Sequence, residues 1–294
     1  MATNRLTFDL DVLRSFVLGL ELGSFACAAD RIGRSTSAVS AQLKKLEEQV
    51  GEPLVRKAGR GLQPTPAGEI MLSYARRLLA LNDEAASAVR GADLSGGVRI
   101  GIQEDFGESI LPQVLGLFTR AHPRVEVRAR IARNAELIEG IRSGELDLAL
   151  AWDGGQQLPH SASLGHWPLC WIGTERSEEE KTPGNPLPLA LFEAPCLMRS
   201  IALTALDNAN RPWRIAFSSP SLSGIWAAVG ADLGVTVRIR ATVPGHLRVL
   251  EHLPPLPPIE LRLHQSDAEP ADAVRRLAAI LQQSLHELAQ NAGA

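Results

Sequence analysis

Cysteine is scarce: the 294-residue chain has three, Cys27, Cys170 and Cys196, with no CxxC pair and no metal-ligand spacing. So sparse and odd a count excludes a disulfide scaffold and fits free thiols in a reducing compartment, with packing as their ordinary role. A redox switch at Cys170 and Cys196 is the alternative, although nothing nearby in sequence would depress a thiol pKa. No apolar run nears the roughly 18 residues that cross a bilayer, so no membrane partner is expected. Asp9 and Asp11 break the stretch where a secretion signal needs unbroken apolar residues, which leads to an expectation of a cytoplasmic protein. Enzyme signatures are missing too. His286-Glu287 is followed by no second His, no GxSxG surrounds Ser221 or Ser223, and neither a P-loop nor GxGxxG occurs. The chain therefore reads as a non-enzyme without cofactor or metal.

What is present is a globular composition, 45% apolar and 21% charged, long enough for about two domains. The net charge of -3 is unevenly spread: residues 1–92 hold 12 Lys/Arg against 10 Asp/Glu, the remainder 18 against 23. Between Arg34 and Arg60 six basic residues face three acidic ones, a local excess suited to a polyanion.

Leu10, Leu13, Phe16, Val17 and Leu20 recur at helical spacing, so residues 9–22 predict an amphipathic helix closed by Gly23. Ser24 caps a second helix with the stripe Phe25, Ala28, Ala29 and Ile32, ended by Gly33. Ser35 caps a third, where Val39, Leu43, Leu46 and Val50 step by four, three and four before Gly51 and Pro53. Two helices joined by a short glycine turn make a helix-turn-helix, and the small pair at 28 and 29 lets them cross closely. Thr36, Ser37, Ser40, Ala41 and Lys44 fall on a short, polar, basic face away from the buried stripe, as a major-groove reader requires. Residues 54–65 predict a hairpin wing with Arg56, Lys57 and Arg60 near its tip. Thr65 and Pro66 open a long helix reaching about residue 90, in which Met71, Tyr74, Leu78, Leu81, Ala85 and Ala88 form an a/d seam. The seam serves dimerisation or packs on its own helical domain.

From residue 97 strands alternate with helices. Strands at 98–102, 125–131 and 146–151 flank helices at about 109–121 and 135–143, a βαβαβ run that implies a parallel sheet. Further strands are predicted at 168–173, 186–191, 213–217 and 235–239, and helices near 200–210 and 221–231. A Pro-rich stretch, 253–263, leads through one more strand to a closing helix at about 270–289.

Residues 23–81 carry, in order, a GSF start, the small pair, an S-x-x-L-x-x-LE-x-x-x-G helix, a PL-x-R-x-x-x-R-G wing and a T-x-AG opening. On these motifs the sequence resembles the LysR-type transcriptional regulators. G-x-LDLAL at 144–150 and LGVTV at 233–237 extend the resemblance over the rest. It implies an α/β protein: a winged helix-turn-helix over 1–65, a dimerising linker helix over 66–91, and an effector domain over 97–294 of periplasmic-binding-protein shape. Lobe one is expected at about 97–160 and 265–294 and lobe two at about 161–264, with the chain crossing near 161–166 and 259–265. The resemblance places DNA contacts at Thr36, Ser37, Ser40 and Ala41, with Arg56 and Arg60 in the wing, and the residue pattern adds Ser35, Lys44 and Lys57 as candidates. Many relatives carry Gln, Pro and Arg at 36, 37 and 41, so the base sequence read here is this chain's own. The implied partners are promoter DNA, further copies of this chain in a dimer or tetramer, a small-molecule effector and RNA polymerase.

Loops at strand carboxyl ends line such an effector cleft. Here they hold Gln103, Glu104, Asp105, Arg133, Asn134 and Trp152, with Arg199, Ser200, Ser218 and Ser219 from the other lobe. Arg133 and Arg199 are the candidate anchors, which makes a carboxylate the expected ligand, while Glu104 and Asp105 oppose an anion unless they turn to helix amides. Two other readings compete: a two-lobed solute-binding protein or enzyme with an accessory N-terminal domain, and a DNA-binding protein without an effector.

Overall fold

Asp9, Ser24, Ser35 and Thr65 each precede a helix and turn a side-chain oxygen onto a backbone N–H of its first turn. Four helices thus start where capping chemistry dictates. The computed structural model describes residues 6–58, 61–90, 94–179 and 185–292, so the expected Arg60 site lies outside the described residues. Contacts divide the chain into two units, Met1–Ala92 and Asp93–Ala294.

In the first unit α1 (Leu10–Glu21), α2 (Phe25–Ile32) and α3 (Thr36–Val50) are followed by β1 (Val55–Ala58), β2 (Gly61–Pro64) and α4 (Pro66–Arg90). Leu13, Phe16, Leu46, Leu54 and Ala75 share one core, so α1, α3, the wing base and α4 close over the same apolar centre. Ala28 and Ala29 are fully buried, and Gly33 ends α2 in the left-handed conformation at φ 67°. Gly68 is fixed by close approach: a Cβ there would lie 2.0 Å from the Leu54 carbonyl oxygen. Glu47 of α3 accepts the Leu54 N–H at 2.8 Å and so ties the base of the β1-β2 hairpin to α3.

The second unit runs β3 (Gly96–Gln103), α5 (Glu104–Gly107), α6 (Leu111–Ala121), β4 (Val125–Ala132), α7 (Asn134–Arg142) and β5 (Leu148–Trp152). It continues through β6 (Ser161–Trp167), β7 (Leu169–Gly173), α8 (Glu175–Glu179), β8 (Leu187–Phe192), α9 (Leu197–Asn208), β9 (Trp213–Ser219) and α10 (Leu222–Gly230). It closes with β10 (Thr236–Ile239), β11 (Arg248–Val249), β12 (Ile259–Gln265) and α11 (Asp272–Ala292). Two lobes result. The first holds the five-stranded sheet β4-β3-β5-β12-β6, parallel at β4-β3-β5 and antiparallel where β12 enters. In the second, parallel β8-β9 meets the antiparallel set β10-β7-β11 through a bridge between Leu189 and Val235.

The crossing segments differ from expectation in their sheet. β6 and β12 pair with each other and, through β5, with the first lobe, whereas residues 161–264 were expected in the second. Of β6 only Trp167 is buried, so pairing with β12 rather than an apolar pattern decides where it lies. Phe106 packs against Trp152 and Trp167 at centroid distances of 5.4 and 5.5 Å, which anchors the turn after β3 beside the crossing strand. No helix among the described residues is long and apolar enough to cross a membrane.

Candidate functional site

α3 buries Val39 and Leu46 in the first unit and leaves Thr36, Ser37, Ser40, Ala41 and Lys44 exposed. Ser35 Oγ caps the helix by accepting the Ala38 N–H at 3.3 Å and lies 3.1 Å from Ser37 Oγ. Lys44 is held loosely by Glu48 at 3.8 Å, with both side chains largely exposed. In the wing Arg56 and Lys57 are exposed, and β1 pairs Arg56 with Gln63 and Lys57 with Leu62. Short hydroxyls and a methyl on a helix face, flanked by cations, suit entry into a groove walled by phosphate.

The expected seam on α4 is divided. Met71 packs on the unit's own core beside buried Ala75 and Leu79, because that flank of α4 closes over α1. Tyr74, Leu78, Leu81 and Ala85 remain exposed, and Ile70 and Val89 lengthen this apolar face. The side chain of Ala88 lies outside the described residues.

Between the two lobes of the second unit is a cavity of about 330 Å³. Seven of the ten expected residues line it: Gln103, Glu104, Asp105, Arg133, Asn134, Trp152 and Ser200. The chain brings them together because β3, β4 and β5 run parallel and end at the same edge. Asn134 Oδ1 accepts from Gln103 Nε2 at 2.7 Å and from the Trp152 N–H at 2.8 Å, which locks the three strand ends to one another.

Three expected residues are not on the cavity. Arg199 donates instead to the Phe192 carbonyl at 2.9 Å, satisfying the end of β8. Ser219 is buried and accepts the Ser221 N–H at 3.1 Å, and Ser218 alternates to the exposed face of β9. The arginine that does face the cavity from lobe two is Arg238 of β10, buried beside Met198 and stacked on the Phe192 ring at 4.0 Å. Its partner is Asp105 of lobe one, 3.8 Å away, with the two side chains only 6% and 2% exposed. The legible signal was a charged residue inside VTVRI, where Val235 and all four residues of β10 are buried.

Two more contacts span the lobes. Glu104 accepts the Leu222 N–H at 2.6 Å, so it does turn to a helix amide, that of the opposite lobe. Arg133 donates to the carbonyls of Glu193 and Pro195 at 2.5 and 2.7 Å, which engages its guanidinium without a ligand. Cys170 is not activated: burial pushes its thiol up to about 11, with Arg240 and Glu251 as smaller opposed influences. That suits packing rather than redox chemistry.

Residues 10–69 match the bacterial regulatory helix-turn-helix protein, lysR family, and residues 91–286 match the LysR substrate binding domain. The chain is 36% identical over 255 residues to the HTH-type transcriptional regulator PecT of Dickeya dadantii (strain 3937), covering 86% of this chain and 80% of that protein. It is 34% identical over 264 residues to the HTH-type transcriptional regulator DgdR of Burkholderia cepacia, covering 87% of each. Among solved structures, HinK, a LysR family transcriptional regulator from Pseudomonas aeruginosa, shares the fold with a TM-score of 0.55 at 22% identity, over 96% of this chain and 100% of that one. The chain belongs to the LysR family of transcriptional regulators, DNA-binding proteins with an effector-binding domain and not enzymes.

Proposed function

We propose that this regulator reads promoter DNA with the α3 face Thr36, Ser37, Ser40 and Ala41, while Lys44, Arg56 and Lys57 hold phosphates. We further propose that two copies join through the exposed face of α4, and that a small molecule in the interlobe cavity alters how that pair sits on DNA. The observation that carries the effector part is the convergence of Asp105, Arg133, Asn134, Trp152 and Arg238 on one cavity from both lobes. A ligand there acts only through unequal affinity for two arrangements of the lobes, and the cross-lobe contacts are what such a ligand would bias. The expected site of action is the cytoplasm, and contact with RNA polymerase would follow from placement at a promoter.

Arg133 and Arg199 as a paired carboxylate clamp find no support in the geometry, since Arg199 is off the cavity; Arg238 replaces it as the cation of lobe two. The test is operator binding by fluorescence anisotropy. Arg56→Ala weakens binding to all sequences and flattens the salt dependence, whereas Ser37→Ala or Ser40→Ala changes the ranking among sites by about 1–3 kcal/mol per lost base contact.

A further inference from the structure

The buried charges of the cavity are poorly matched to each other. Asp105 Oδ2 receives the Trp152 indole N–H at 3.4 Å and faces Arg238 at 3.8 Å, beyond hydrogen-bond reach. Asp105 Oδ1 and Arg238 Nε have no protein partner although both are buried. Each side chain of this facing pair therefore keeps one unsatisfied polar atom, a carboxylate acceptor and a guanidinium donor, which costs stability unless something else meets them. One face of the guanidinium is taken by the Phe192 ring, which fixes its plane. The cavity wall beyond is apolar, with Trp152, Leu197, Met198 and Pro195.

From this geometry we infer that the ligand is amphoteric, an apolar α-amino acid whose ammonium meets Asp105 and whose carboxylate meets Arg238. This rests on the cavity being the effector site. The closeness of the two charges calls for cationic and anionic groups on neighbouring atoms, as on an α-carbon, rather than at opposite ends of a chain. The remaining charges agree: the lining holds Glu104, Asp105 and Glu136 against Arg133 and Arg238, so a simple anion enters a site with excess negative charge while a zwitterion adds none. The apolar wall receives the side chain. This replaces the simple carboxylate expected from the sequence, because the carboxylate at 105 is inside the cavity and not spent on a helix.

Calorimetric titration of the intact chain with each proteinogenic L-amino acid tests the inference. Any binder is then compared with its deaminated acid and its decarboxylated amine. At least one apolar amino acid saturates the protein, and both single-charge analogues bind about tenfold or more weaker. Asp105→Asn removes the preference over the deaminated acid, and Arg238→Gln the preference over the amine. The analogue series on the unaltered protein stands if either variant does not fold. An analogue that binds as tightly as the amino acid, or no saturable amino acid up to millimolar concentration, overturns the inference. Ala135→Trp, which fills the cavity, separates it from the reading beneath it. A ligand of another class that this variant excludes refutes only the amphoteric chemistry. An amino acid that still binds Ala135→Trp sits elsewhere and refutes both.

Discussion

The Glu104 carboxylate accepts a 2.6 Å hydrogen bond from the backbone N–H of Leu222, 118 residues further along the chain and in the opposite lobe. Leu222 is the first residue of α10, so a negative charge from the edge of the first sheet sits at the positive end of a helix in the second. With Arg133 on the Glu193 and Pro195 carbonyls and Asp105 facing Arg238, the lobes are held by four charged side chains that also line the cavity. Anything that enters the cavity therefore works on the same groups that set the separation of the lobes.

Removing the first of these ties has a direct consequence. Glu104→Ala leaves the Leu222 amide without its acceptor and lowers the stability of the effector domain by about 1–3 kcal/mol, read from urea unfolding. Glu104→Gln keeps a neutral acceptor and loses less. An unchanged midpoint for Glu104→Ala contradicts the tie.

Gly68 sits where α4 passes the base of the wing, and a Cβ there meets the Leu54 carbonyl oxygen at 2.0 Å. Backbone cannot yield as a side chain does, so Gly68→Ala destabilises the DNA-binding unit by about 1–3 kcal/mol and displaces the wing. Thermal unfolding of this variant together with its operator affinity checks both effects.

Leu78 is exposed on α4, between Tyr74 and Leu81. Leu78→Asp therefore leaves the unit folded but places an unpaired charge in the proposed seam, raising the dimer dissociation constant about a hundredfold or more. Sedimentation across a concentration series reads this; a variant as dimeric as the parent assigns the seam another role.

The first unit was legible in sequence because its rules are local. Asp9, Ser24, Ser35 and Thr65 mark helix starts, Gly33 marks a stop, and the apolar stripe of α1 faces the core as its spacing requires. In the effector domain the first three strands were also legible, each running one residue past its expected end, to Gln103, Ala132 and Trp152, and with them most of the first lobe's contribution to the cavity. What escaped was long-range. Arg199 and Arg238 are both arginines near apolar segments, and only the tertiary fold decides that the first satisfies Phe192 while the second meets Asp105. The seam of α4 misassigned Met71 for the same reason: heptad spacing marks an apolar residue without saying whether its own core or a second copy covers it.

His264 on β12 bonds Ser161 Oγ through Nδ1 at 2.7 Å, joining the two crossing strands. Burial holds its imidazole below the ordinary value, aided by Arg262 and opposed by Asp153. A depressed imidazole favours the neutral ring in the fold, so its contribution is fully present above about pH 6.5 and is lost as pH falls, when the unfolded chain takes up the proton first. Effector-domain stability therefore declines as pH falls below about 6.5, and His264→Gln shows a shallower decline over the same range. Equal slopes in chemical denaturation contradict this assignment.

The most direct test of the account is selection of genomic DNA fragments by the intact protein, run in parallel with a Ser40→Ala, Arg56→Ala double variant. The parent is predicted to enrich fragments sharing one pseudo-palindromic site, with half-sites about one helical turn or a multiple apart, and the double variant to lose that enrichment. Equal enrichment of the same site by both proteins would contradict the assignment of DNA reading to α3 and the wing.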